Sequence, residues 1–193
     1  KAYKFYRIDN IDKMNSEERI NYYNEIQKTK EKFYESHRKH TIFKNTQKYQ
    51  CTQHISNELD LQKMIQCTAF VIPNTNIVYY NYMIFKTYGN DENHLIVYDY
   101  LVNLVSSILE NYSTFEFHIN LKSFTISACQ RYYHMICSSF DDNTFFTDKM
   151  SKMVVYYTPN IIDQLTKILY KSIKDVIPKV EYCHKESEER IKV

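Results

Sequence analysis

Residues 114–124 read TFEFHINLKSF, β-branched and aromatic as strands prefer, within the stretch from Ser113 to Tyr182 that decides the fold. Behind them, Ala128–Phe140 (ACQRYYHMICSSF) has helical spacing, and Met153–Tyr157 (MVVYY) is a short unbroken apolar run. Pro159–Val176 is amphipathic at the helical period, and Lys179–Tyr182 (KVEY) follows a stop at Pro178. The order is strand, helix, strand, helix, strand. Crossovers of this length imply parallel pairing, because parallel neighbours need a connection of roughly a dozen residues or more. The stretch therefore predicts an α/β fold with a mixed, mostly parallel sheet of about five strands. Helices over 91–111, 129–140 and 159–176 should flank that sheet.

Working outward, residues 66–89 (QCTAFVIPNTNIVYYNYMIFKTYG) read as two buried strands joined by a turn at Pro73–Asn76. Gly89, the only glycine, is expected to use positive φ to turn the chain into the next helix. Leu95–Leu109 (LIVYDYLVNLVSSIL) is shorter than the roughly 20 residues a membrane span needs. Asp99, Asn103, Ser106, Ser107 and Glu110 give it one narrow polar stripe, so it reads as a helix buried on most sides. Thr158–Pro159 looks like a helix start, with a threonine cap and proline at the first position. Leu165, Ile168 and Leu169 then belong to a wide apolar face opposite Asp163, Lys167 and Lys171.

The first sixty residues have another character. Asn15 and Glu18 fit a reciprocal helix cap, and Ile20, Tyr23, Ile26 and Phe33 give a broken apolar face to about Ser36. A short helix is expected over Glu58–Ile65, with a loop around His40–Gln53. Between Lys28 and Lys48 lie seven Lys/Arg against two Glu, a net of +5, while the whole chain carries only +2. The implied organisation is a basic helical arm over 1–60, an α/β domain over 61–183 and a charged tail over 184–193.

Composition sets the remaining bounds. A chain of 193 residues can bury a real core, and its small net charge does not by itself argue for a nucleic-acid or membrane partner. Five cysteines without framework spacing favour a reducing compartment. No signal-peptide pattern opens the stretch, and the expected location is the cytoplasm. Abundant Tyr, Phe, Ile, Asn and Lys, with almost no Gly, Ala or Trp, follow A/T-rich codons. That bias marks an AT-rich genome, such as some protozoa, endosymbionts or large DNA viruses have. It also supplies tyrosine without any demand for a stacking surface.

At the level of element order, the segments FEFHINLKSFTISACQRYYHMICSSF, KMVVYYTPNIIDQLTKILYKSI and IPKVEY resemble the second half of a CRAL-TRIO lipid-binding domain, over about residues 65–182. In that family a core strand ends in an Asp-x-x-Gly-like turn, and a second ends in an Asn-x-Pro-like turn before the helix that gates the lipid pocket. The corresponding positions are Asn120–Ser123 and Tyr157–Pro159, with Asn120 and Ser123 in place of the usual aspartate and glycine. The resemblance implies a CRAL-TRIO-like sheet and a lipid pocket under the 159–176 helix, with Leu165, Ile168 and Leu169 on its gate.

Chemistry is sparse. His37-x2-His40 and Cys51-x2-His54 offer four zinc-ligand types, but the spacing matches no common finger and the run is basic, so surface histidines are the preferred reading. Cys129 and His134, five residues apart on one helix, fall on different faces and do not make a nucleophile pair. A glycine-rich phosphate loop is excluded by the single glycine. The expectation is a non-enzymatic chain with no catalytic residue, cofactor or metal.

Two functions remain. The first is a scaffold or protein-interaction protein, a viral structural protein among its forms, with a protein partner or self-association. Its surface would use Lys30, Lys32, Arg38 and Lys39 for steering and Phe33, Tyr34 and Phe43 as apolar anchors. The alternative is lipid binding or transfer, with lipid or an anionic membrane surface as partner. Nucleic acid ranks below both.

Overall fold

The computed structural model describes residues 14–37, 44–141 and 144–183. Three helices, α1 (Ser16–Ser36), α2 (Lys44–Glu58) and α3 (Leu61–Thr68), lead into strands β1 (Ala69–Val71) and β2 (Ile77–Asn81). Helices α4 (Tyr82–Tyr88) and α5 (His94–Leu109) then reach β3 (Phe115–Asn120). Next come α6 (Ile126–Arg131), α7 (Tyr133–Asp141), α8 (Thr144–Lys149) and β4 (Met150–Tyr156). Last are α9 (Ile162–Ile173), a 3-10 turn (Ile177–Lys179) and β5 (Val180–Cys183).

The sheet order is β1-β2-β3-β4-β5, antiparallel only between β1 and β2 and parallel elsewhere. Each parallel crossover therefore advances one place. With the usual constant hand, such crossovers stack their helices on one face of the sheet. The main core lies there, where Phe115 and Phe117 of β3 meet Val97, Leu104 and Leu165 from the helices. The opposite face carries a smaller buried cluster of Tyr79, Val154 and Tyr156. The mostly parallel sheet and its flanking helices are as expected from the 113–182 stretch.

The amino-terminal helices join the main core through Tyr22, Ile26, Phe33, Cys51 and Ile55. Asn15 accepts from the Glu18 amide at 2.9 Å and Glu18 accepts from the Asn15 amide at 2.8 Å, so the expected capping box is present. The buried stripe of α1 is Tyr22, Ile26 and Phe33, and Ile20 is exposed instead. Residues 44–53, expected in a loop, are helical in α2. The pattern was hidden because its buried line at every fourth residue runs Gln47, Cys51, Ile55, and begins with a polar residue.

Other boundaries moved for local reasons. The second strand stops at Asn81, whose side chain accepts from the Met83 amide at 3.0 Å and starts α4, so residues 82–88 are helix and not strand. The helix expected over 129–140 breaks at Tyr132, whose ring wedges against Phe85 and Tyr82 while its hydroxyl donates to the Gly89 carbonyl at 3.3 Å. Thr158 does not cap α9. Its hydroxyl lies 3.1 and 3.2 Å from the carbonyls of Val155 and Cys183, tying the turn to the sheet, and the helix begins at Ile162.

Gly89 is needed for space, not for positive φ. Its φ is −61°, and a Cβ there would lie 2.6 Å from the Phe85 ring. Gly89→Ala should therefore lower stability by about 1–3 kcal/mol through overpacking, read as a lower urea midpoint at unchanged slope. An alanine variant with the wild-type midpoint would mean that the ring moves aside freely. The left-handed conformation falls instead on Asn74, Ser123 and Tyr157, at φ of 61°, 61° and 51°.

Candidate functional site

A cavity of about 200 Å³ lies between the helix-covered face of the sheet and α5, α7 and α9. Its floor alternates along the strands, as a pleated sheet requires: Phe117 and Ile119 from β3, Met153 and Val155 from β4. Its roof includes Leu101 of α5, Met135 and Ile136 of α7, and Leu165, Leu169 and Ile173 of α9. The lining is apolar apart from Ser139, Thr166 and tyrosine hydroxyls. Tyr182 lines it while remaining 46% exposed, so this ring stands at the rim.

Two of the three gate residues read from the sequence face this space. Leu165 and Leu169 are buried on it, but Ile168 is 37% exposed and does not line it. At 100° per residue the cavity stripe runs through Ile162, Leu165, Leu169 and Ile173, and Ile168 lies well to one side.

The basic interaction surface is only partly as expected. Lys32 is exposed, while Lys30 and Tyr34 are half-buried. Phe33 is 5% exposed, so it is a core residue and not a surface anchor. Its ring stacks on His37 at 4.4 Å and meets His54 at 5.4 Å. Arg38, Lys39 and Phe43 lie outside the described residues. So does His40 of the zinc-ligand set, and among the described residues no three His, Cys, Asp or Glu side chains are grouped to hold a metal ion.

Cys51, Cys67 and Cys129 sit in positions that suppress thiolate formation. Burial pushes the Cys67 thiol up to about 12, and burial also raises Cys51 and Cys129. Thiols held this high are protonated near neutral pH and behave as small apolar groups. Among the described residues, no helix is long and apolar enough to cross a membrane.

On the opposite face is a polar network that sequence reading missed. His118 Nδ1 lies 2.8 Å from the Tyr156 hydroxyl and Nε2 lies 3.0 Å from the Glu116 carboxylate. Both ring nitrogens are thus engaged, and the histidine bridges β3 to β4. The two-residue spacing of Glu116 and His118 was visible as one strand face, but Tyr156 joins them only through the β3–β4 register. Comparison of the chain with protein-family models, with curated proteins and with solved structures finds no match.

Proposed function

We propose that this chain is a non-catalytic binding protein that holds a small apolar ligand between its sheet and α9, on a CRAL-TRIO-like fold with an amino-terminal helical arm. The observation that carries the reading is the cavity of about 200 Å³ with an almost wholly apolar lining. Close-packed interiors leave few voids larger than a water molecule, and apolar ones stay dry and take up apolar guests. A cavity of about 150 Å³ holds benzene, so this one suits a ligand of roughly eight carbons or the end of a longer chain. The resemblance adds support. Ser123 stands where the family turn carries glycine, and its φ of 61° is the left-handed conformation glycine favours.

Octanol is a suitable probe, followed by calorimetric titration and by the shift in thermal midpoint. Saturable binding to the wild type is expected, together with loss of that response in Val155→Phe, whose larger side chain fills the floor of the cavity. Absence of an octanol response in the wild type would overturn the reading, as would an undiminished response in Val155→Phe. A chain that ignores octanol yet self-associates in sedimentation would support the scaffold reading. Tyr170 and Tyr182, 59% and 46% exposed, supply apolar contact area for that case.

A further inference from the structure

Lys86 and the turn carrying Lys122 are joined by a hydrogen bond, the charges of Lys30 and Lys48 also bear on Lys86, and what these lysines imply does not rest on the cavity reading. Lys86 of α4 is half-buried, and its ammonium donates to the Ser123 hydroxyl at 2.6 Å. The same ammonium lies 3.1 Å from the Met83 sulfur. This contact fastens α4 to the turn after β3, where Lys122 is the neighbouring residue. Helices α1 and α2, which carry Lys30 and Lys48, also pack on α4. Lys48, Lys122 and Ser123 are exposed and Lys30 is half-buried.

Among the described residues, no carboxylate lies within ion-pair distance of these charges. The close acid–base contacts are His118 with Glu116 and Lys152 with Glu181, and neither involves the four lysines. The helical neighbours of Lys30 three and four residues away are Ile26, Gln27, Phe33 and Tyr34. Those of Lys48 are Lys44, Asn45, Cys51 and Thr52. Burial, and then the charges of Lys30, Lys48 and Lys122, hold Lys86 below the usual lysine range. Like charges gathered without a counter-charge disfavour the empty fold, although 23 acidic residues are present in the chain. An anion at this point relieves that repulsion.

We propose that Lys30, Lys48, Lys86 and Lys122, with the Ser123 hydroxyl, form a binding site for a phosphate monoester. A monoester carries a charge of roughly −1.5 to −2 near neutral pH on three strong acceptor oxygens, which matches several converging donors. A carboxylate brings a single charge. A nucleic-acid backbone distributes its charge along a polymer and calls for an extended track of lysines rather than a cluster about one half-buried ammonium. The monoester arrives on a soluble molecule or on a lipid headgroup, and the chemistry that recognises it is the same.

The test is a titration of the isotopically labelled chain, followed at the backbone amides of Lys86, Lys122 and Ser123. One arm uses inorganic phosphate and glycerol 3-phosphate. A second uses phosphatidylcholine vesicles with and without phosphatidic acid, and a third uses homopolymeric RNA. Saturable shifts at these amides are expected in at least one of the first two arms, and which arm responds identifies the source. Lys86→Gln and Lys122→Gln should each weaken binding by about tenfold, as loss of a charge-assisted contact does, while Lys167→Gln on α9 should leave it unchanged. Lys86→Gln removes a disfavoured charge and should fold as well as the wild type, and exposed Lys122 supplies a second variant that does not touch the core. Silence in both monoester arms, unchanged affinity in both variants, or binding of RNA alone would overturn the proposal.

Discussion

Truncation of Phe85 to alanine is expected to lower the unfolding free energy by about 3–5 kcal/mol, the range for losing a buried phenyl ring. Phe85 is fully buried, with its ring centroid 5.9 Å from Tyr80, 5.8 Å from Tyr88 and 5.0 Å from Tyr132. It joins the end of the β2 strand to the kink between α6 and α7, so its removal leaves three aromatic neighbours without a common partner. Urea unfolding at constant slope measures the loss. The same ring covers Gly89, which supplies a sharper check. Gly89→Ala should be nearly neutral in the Phe85→Ala background, because the atoms its Cβ meets are gone. Additive effects of the two substitutions would mean that the ring does not set the requirement for glycine. A loss under about 1 kcal/mol for Phe85→Ala would mean that the surrounding rings collapse into the space.

Leu165→Ala should lower stability by about 2–5 kcal/mol, because Leu165 is 2% exposed and packs α9 onto the core. The substitution also enlarges the cavity that Leu165 lines. Saturating octanol should therefore recover part of the lost stability, up to about 2.7 kcal/mol at a hundredfold excess over its dissociation constant. Both readouts come from the same unfolding titration. A large loss with no recovery would assign Leu165 to packing alone and count against ligand binding. A small loss with altered uptake would make α9 a mobile gate. A small loss with no octanol effect would contradict both roles.

Much of the architecture was legible in the chain because it follows from short-range periodicity. The strands at Phe117 and Val154 and the helix carrying Leu165 and Leu169 are apolar at the period of their own element, which neighbours in sequence determine. Parallel pairing followed from the length of the crossovers. Helix α2 escaped because Gln47 occupies a buried position, and a polar residue there breaks the apolar count on which the reading depends. Gly89 was assigned the wrong reason, since sequence shows that a side chain is missing but not which ring occupies the space. Phe33 was read as a surface anchor from the charges around it, yet the ring continues the stripe of Tyr22 and Ile26 into the core while Lys32 beside it stays exposed.

The sequence by itself therefore determined the class of fold, the order of its five strands and the placing of Leu165 and Leu169 on the apolar face of α9, all of which are set within one turn or one strand of chain. Tertiary structure alone decided the rest. The cavity exists because bulky rings on separate helices fail to fill the space above the sheet, which is a matter of summed volumes rather than of pattern. The Glu116–His118–Tyr156 network depends on strand register, and the cluster of Lys30, Lys48, Lys86 and Lys122 depends on how helices far apart in sequence pack on α4. Charges separated along the chain carry no local signal of meeting, because their interaction begins only when the fold has brought them within a Debye length.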